Sequence, residues 1–198
     1  MFSLRRYVLW FCSSTICLLC ACGSADSSKD LTSVTEYIQE KGHEESFADL
    51  INTLHFSSQS SLDTFRLSMS GSSVESGDVE FGIISPTLGQ IYSEKFPARA
   101  LIGHSLIQVK RPTQAEIENA IIEGFNSFFQ ENHFPRPAIS SKESYQEEYE
   151  GIISEEAWET IKKDSSSVGF YYLLWEGDMK WISFFKSDSS VKIYKVCC

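Results

Sequence analysis

The sequence predicts an α+β fold: a single domain with a mostly antiparallel sheet and helices packed on it. Three observations predict it. Phe65, Leu67 and Met69 alternate with polar residues, as do Val79, Phe81 and Ile83, which is the period of a half-buried strand. Ser33/Glu36 and Thr113/Glu116 have the spacing of capping boxes, each ahead of apolar residues at helical spacing. The elements also fall in blocks, α-α-β-β-(β-β)-α-α-β-β-β, where a parallel α/β sheet would alternate strand and helix. No repeat and no long linker divides the 198 residues, a length that usually makes one domain.

Taken in order, the first helix begins at the Ser33/Glu36 box, carries Val34, Tyr37 and Ile38 on one face and stops at Gly42. Phe47, Leu50, Ile51 and Leu54 stand at i, i+3, i+4 and i+7, which predicts a second helix. From Leu62 the period becomes two, giving strands around 65–69 and 79–83 that are separated by a turn over Gly71–Gly77. Gln90 to Arg111 reads as one or two further strands broken near Pro97. Ile117, Ile121, Phe125 and Phe128 line one side of a helix of about 18 residues behind Thr113. Phe134-Pro135-Arg136-Pro137 closes it, and Ser140 to Glu150 is a polar, acidic loop. Ser154 caps a shorter helix with Glu155 and Glu156 in its first turn and Lys162 and Lys163 in its last, as the helix dipole prefers.

The last third is aromatic. Residues 170–175 and 180–185 flank Gly177-Asp178, a pair suited to a two-residue turn that would set Leu174 opposite Trp181 and Tyr172 opposite Ser183. Trp175, Leu173, Ile182, Tyr171 and Phe184 then share the second face, so both faces are apolar and both need cover. Val191 to Val196 extends the sheet.

Ahead of the domain, Arg5 and Arg6 precede an uncharged, mostly apolar run over Tyr7–Leu19, followed by Leu19-Cys20-Ala21-Cys22-Gly23. This is the layout of a secretory signal peptide. The apolar run is shorter than the roughly 20 residues that a membrane-spanning helix needs. The segment resembles bacterial lipoprotein precursors: Leu19, Ala21 and Cys22 match the lipobox, while Cys20 stands where that family usually has Ala, Ser, Thr or Val. The resemblance covers about 25 residues and implies a signal peptide over 1–21, a lipidated tether over 22–30 and a domain over 31–198. It further implies a diacylglycerol on the Cys22 sulfur and an acylated new amine. Two or more chains suffice for stable anchoring. By the rule for enteric bacteria, Gly23 after that cysteine implies the outer rather than the inner membrane. Secretion without lipid, with cleavage behind Ala25, and a cytosolic chain stand as alternatives.

Removing residues 1–21 takes away Arg5 and Arg6 and no acid, so the remaining chain holds 15 basic and 27 acidic residues, a balance of −12. No cluster of Lys and Arg interrupts that charge, which argues against nucleic acid as a partner and against an anionic membrane face as a binding surface. The expected partners are the bilayer, through acylated Cys22, and an envelope component.

Cys12, Cys17 and Cys20 fall in the signal, which leaves Cys197 and Cys198 for redox chemistry. Adjacent Cα atoms lie about 3.8 Å apart, closer than the roughly 4.4–6.8 Å of ordinary disulfides. Cross-linking to another chain is therefore the alternative to two free thiols at the chain end.

Chemical motifs are few. Gly103-His104-Ser105-Leu106 matches the start of a lipase elbow, with His133 as the base, but Ile107 stands where the elbow needs a small residue. The plain reading of Ser105 is a strand residue. His43, His55, His104 and His133 show no zinc spacing, and the acidic pairs read as solvated. No cofactor is expected. Tyr171, Trp175, Trp181 and Phe184 are the candidate binding surface. The expected role is non-enzymatic binding, scaffolding or assembly in a Gram-negative envelope. The alternatives are a serine hydrolase using Ser105 and a carrier of a small apolar ligand.

Overall fold

The computed structural model describes residues 48–197. The signal segment, Cys22, the tether, the helix expected from Ser33 to Gly42 and Cys198 lie outside the described residues. The described chain is α+β, and its strands sort into two antiparallel sheets.

The first sheet is a meander of β1 (Ala48–Leu54), β2 (Asp63–Ser70), β3 (Asp78–Ser85) and β4 (Gly89–Pro97). Phe65, Leu67, Val79, Phe81 and Ile83 are all buried, as their period-two spacing requires, while Arg66 and Glu80 face out. β1 corrects the helix expected over Phe47–Leu54. Ala48, Leu50, Asn52 and Leu54 turn inward in alternation, and Ile51, which the helical stripe would bury, is 60% exposed. Isolated periodicity favours the helix, but pairing with β2 over seven residues and the β-branched Ile51 and Thr53 favour the strand.

The stretch after β4 differs from expectation too. Only Gly89–Pro97 is extended; Ala98–Ile102 is a 3-10 turn that buries Ala98, Ala100 and Leu101. Three further i to i+3 turns follow, from Ser105 to Ile102, Ile107 to His104 and Val109 to Leu106. Ser105 is thus a turn residue rather than a strand residue. Ile107 and Val109 are exposed, so the apolar letters that imitated a strand there have no sheet to face.

α1 (Gln114–Ser127) starts on the expected capping box, with the Glu116 N–H donating to Thr113 Oγ1 at 3.3 Å and the Thr113 N–H to Glu116 Oε2 at 2.7 Å. It has 14 residues, four fewer than the apolar stripe promised, because Phe128 and Phe129 continue that stripe from a tighter turn. α2 (Glu155–Lys163) is capped by Ser154, as expected.

The second sheet is β5 (Gly169–Leu174), β6 (Asp178–Phe185) and β7 (Ser190–Cys197). Its hairpin register corrects the expected one: Leu174 faces Asp178 and Tyr172 faces Lys180 across a loop of Trp175, Glu176 and Gly177. The Trp175 N–H donates to Ala100 O at 2.7 Å, and Trp175 holds a left-handed φ of 55°. That tertiary bond fixes the loop and overrides the local Gly-Asp preference. A shift by an odd number of residues exchanges faces. Phe170, Tyr172, Leu174 and Ile182 therefore face the first sheet and α1, and the cross-strand pair Tyr171 and Trp181 faces away from them.

Both faces are covered, as the doubly apolar strands demand. On one side the main core joins the two sheets and α1 through edge-to-face and tilted rings, with Phe65–Phe170 at 5.5 Å and Phe81–Tyr172 at 5.4 Å. On the other, Ala138, Ile139, Tyr149, Ile153, Trp158 and Ile161 form a second cluster with Tyr194. Tyr149 thus anchors the segment that its acidic composition marked as a plain polar loop. Tyr194 is the extra residue of a bulge opposite Trp181 and Ile182, and its hydroxyl donates to Ala138 O at 2.8 Å.

Candidate functional site: a groove beside the hairpin

Three segments meet at an open groove of about 800 Å³: the 3-10 turn with the residues after it, the second half of α1 with the turn to His133, and the β5–β6 hairpin. Two glycines set their spacing. Gly103 ends the 3-10 turn at φ 50°, where a Cβ would lie 3.0 Å from Leu173 Cδ2. At Gly124 a Cβ would fall 2.1 Å from Leu101 O, so α1 rests directly on the backbone of the turn.

The groove floor is apolar, from Leu101, Phe128, Leu173 and Met179, and Tyr171 lines it as well. Its rim carries His104, Ser105, Glu123, Asn126 and Gln130, all exposed, with His133 half-buried. Both imidazoles are tethered by one nitrogen. His133 Nδ1 donates to Phe128 O at 2.9 Å, and His104 Nε2 donates to Glu176 O. A carbonyl only accepts, so in the neutral rings His133 Nε2 and His104 Nδ1 are the acceptor atoms. The His133 ring lies 4.7 Å from Tyr171, which lies 5.8 Å from Trp181, and Lys195 Nζ sits 5.1 Å over the Trp181 ring.

Behind the floor, Tyr172 joins the groove to a polar cluster between the sheets. Glu94 accepts from the Tyr92 hydroxyl at 3.0 Å, from the Tyr172 hydroxyl and from Lys180 Nζ at 2.5 Å. The two hydroxyl oxygens lie 2.7 Å apart, so three oxygen–oxygen contacts share two protons. Burial, reinforced by the nearby Glu94 charge, pushes both phenols well above their ordinary range. A phenolate here would face a carboxylate in a largely water-free space, so the cluster is a fixed latch between the sheets.

The structure brings Ser105 and His133 to the same groove without joining them. No hydrogen bond links Ser105 to His55, His104 or His133, and each of those rings is bonded to a backbone carbonyl. Nor does Ser105 sit between a strand and a helix, so the elbow geometry that would activate it is not formed. Among the described residues no three His, Cys, Asp or Glu side chains group to hold a metal ion.

The four aromatic residues expected to form one surface are divided. Tyr171 and Trp181 share the outer face of the second sheet. Trp175 stands at the hairpin loop, 47% exposed, and Phe184 packs against the main core. Of these four only Tyr171 lines the groove; neither Trp175 nor Trp181 does. Cys197 is exposed at the end of β7. Leu101 and Met179 carried no signal in the sequence, and the meeting of His104 and His133 with Tyr171 depends on Gly124 and on the hairpin register.

Compared with protein-family models, with curated proteins and with solved structures, the chain matches none. Among the described residues no helix is long and apolar enough to cross a membrane.

Proposed function

We propose that this protein is an envelope lipoprotein, anchored on a bilayer through acylated Cys22, whose folded domain works by binding. The observation that carries the reading is the opening of the chain, where a positive start, a short apolar run and Leu19-Cys20-Ala21-Cys22 follow one another. Two acyl chains or more would hold the protein for long periods, each buried methylene adding about 0.8 kcal/mol. The few polar residues after Cys22 would keep the domain close to the membrane surface, where its partners are concentrated.

Binding is supported by the groove. An apolar floor with convergent polar groups is the usual build of a ligand site, and none of its rim hydroxyls is hydrogen-bonded to an imidazole. An outer-membrane location follows from Gly23 under the same resemblance.

The test is metabolic labelling with palmitate in a Gram-negative host. Label on the wild-type chain and none on Cys22→Ala is the expected result. Label that persists in Cys22→Ala refutes the anchor.

A further inference from the structure

We propose that the groove takes a small amphipathic ligand with a protonated amine at its head and an apolar body. This deepens the reading of the domain as a binding module and rests on it.

The charge of the lining carries the argument. Glu123 is the groove's one carboxylate among the described residues, and no Lys or Arg lines it. Lys180, which shares Glu94 with the groove's Tyr172, is committed to Glu94 at 2.5 Å and to Asp178 at 3.7 Å. An anionic head group would therefore meet a carboxylate and no counter-charge, in a chain already at −10 overall.

The hydrogen-bonding atoms point the same way. The backbone carbonyls of Phe128 and Glu176 use up one donor each from His133 and His104. That leaves His133 Nε2 and His104 Nδ1 as the ring atoms able to accept from a ligand's N–H groups. Tyr171 adds a half-exposed ring whose π system attracts a cation. Leu101, Leu173 and Met179 give an unbranched apolar body a surface to lie on, and Met adapts to irregular shapes. The groove is open, so the body lies along it and is not enclosed.

The probes are octylamine, octanoate and octanol, added below their self-association limits and followed by titration calorimetry at neutral pH. The three share a chain and differ in head charge. We expect saturable binding of octylamine, about 10-fold tighter than octanoate, a ratio worth about 1.4 kcal/mol. Glu123→Gln should weaken octylamine about threefold, since an exposed charge contributes modestly. Ser105→Trp, at an exposed turn position, should fill the groove and abolish binding while the melting temperature stays within a degree or two of wild type. Octanoate binding as tightly as octylamine overturns the amine class and leaves the groove as a binding site. No binding of any probe to folded protein overturns the groove reading itself. Octylamine binding that survives Ser105→Trp marks general attraction to an acidic protein and overturns the inference.

Discussion

Gly124 sets two opposed effects against each other. In an exposed helix interior, Gly→Ala stabilises by about 1 kcal/mol, because alanine restricts the unfolded chain and favours the helix. At this position the new Cβ would lie 2.1 Å from Leu101 O and 3.1 Å from Leu101 Cβ, both contacts on one rigid turn. An ordinary contact needs more than about an ångström of extra separation. Neither partner yields cheaply, since Leu101 is buried and Ala100 O holds the hairpin through Trp175 N–H. Moving α1 outward instead loosens Ile121 and Phe125, both buried in the main core. Overpacking of this kind costs about 1–3 kcal/mol or more, so the clash exceeds the propensity gain and Gly124→Ala should destabilise by about 2 kcal/mol. For a domain of this size that lowers the melting temperature by about 4–8 °C. Urea denaturation read by circular dichroism measures it, with Asn126→Ala, an exposed position two residues on, as the propensity control. A Gly124→Ala variant as stable as wild type, or more so, refutes the close seating of α1 on the turn and with it the shape of the groove.

Other consequences follow from the polar groups. Glu94→Ala strands Lys180, whose side chain is only about a fifth exposed, leaves the Tyr92 and Tyr172 hydroxyls with only each other, and should cost about 3 kcal/mol. A double-mutant cycle with Lys180→Met should return a coupling above ~1 kcal/mol, and a coupling near zero would contradict the latch between the sheets. Burial raises the phenols of Tyr92, Tyr172 and Tyr194 in the folded state. Their contribution is fully present below the unfolded value of about 10 and is lost as pH rises above it. Stability should therefore fall above about pH 10, by up to ~1.4 kcal/mol per pH unit for each of the three groups, and Tyr194→Phe should make that slope about one third shallower. A slope unchanged in the variant would count against a buried Tyr194. Asp63, fully buried, accepts from the Phe56 N–H at 3.1 Å and the Ser57 N–H at 2.6 Å. Asp63→Ala should cost about 2–4 kcal/mol in denaturant melts, and a cost under ~1 kcal/mol would mean that water replaces the carboxylate there.

Much of the architecture was legible because it rests on local signals. The Thr113/Glu116 box and the Ser154 cap each satisfy backbone donors within a few residues, so they hold in any tertiary setting. The alternation of Phe65, Leu67 and Met69 survives because a strand with one buried face has no other register. What failed depends on distant contacts. The 48–54 segment carries a helical stripe and a strand alternation at once, and β2 decides between them. Trp175 takes its loop geometry from Ala100 O, a bond across 75 residues that no dipeptide preference at Gly177-Asp178 encodes. The groove was hidden for the same reason. Ser105, His133 and Tyr171 are each legible as candidates, but the elements that bring them together meet at Gly124, whose close seating on Leu101 O has no local signature. The Tyr92–Glu94–Tyr172–Lys180 cluster gave no signal, since Glu94 sits in β4, whose alternation is broken at Ile91, the extra residue of a bulge opposite Ile83 and Ile84.

The proposed anchor is tested most directly at the N-terminal end of the chain recovered from cells. Intact mass spectrometry of the protein extracted from the membranes of a Gram-negative host measures it. The predicted result is a chain that begins at Cys22, spans the remaining 177 residues and carries the mass of a diacylglycerol with a further amide-linked acyl chain. A soluble chain beginning at Asp26, or a membrane-free chain that retains Met1, would contradict the anchor and the function built on it.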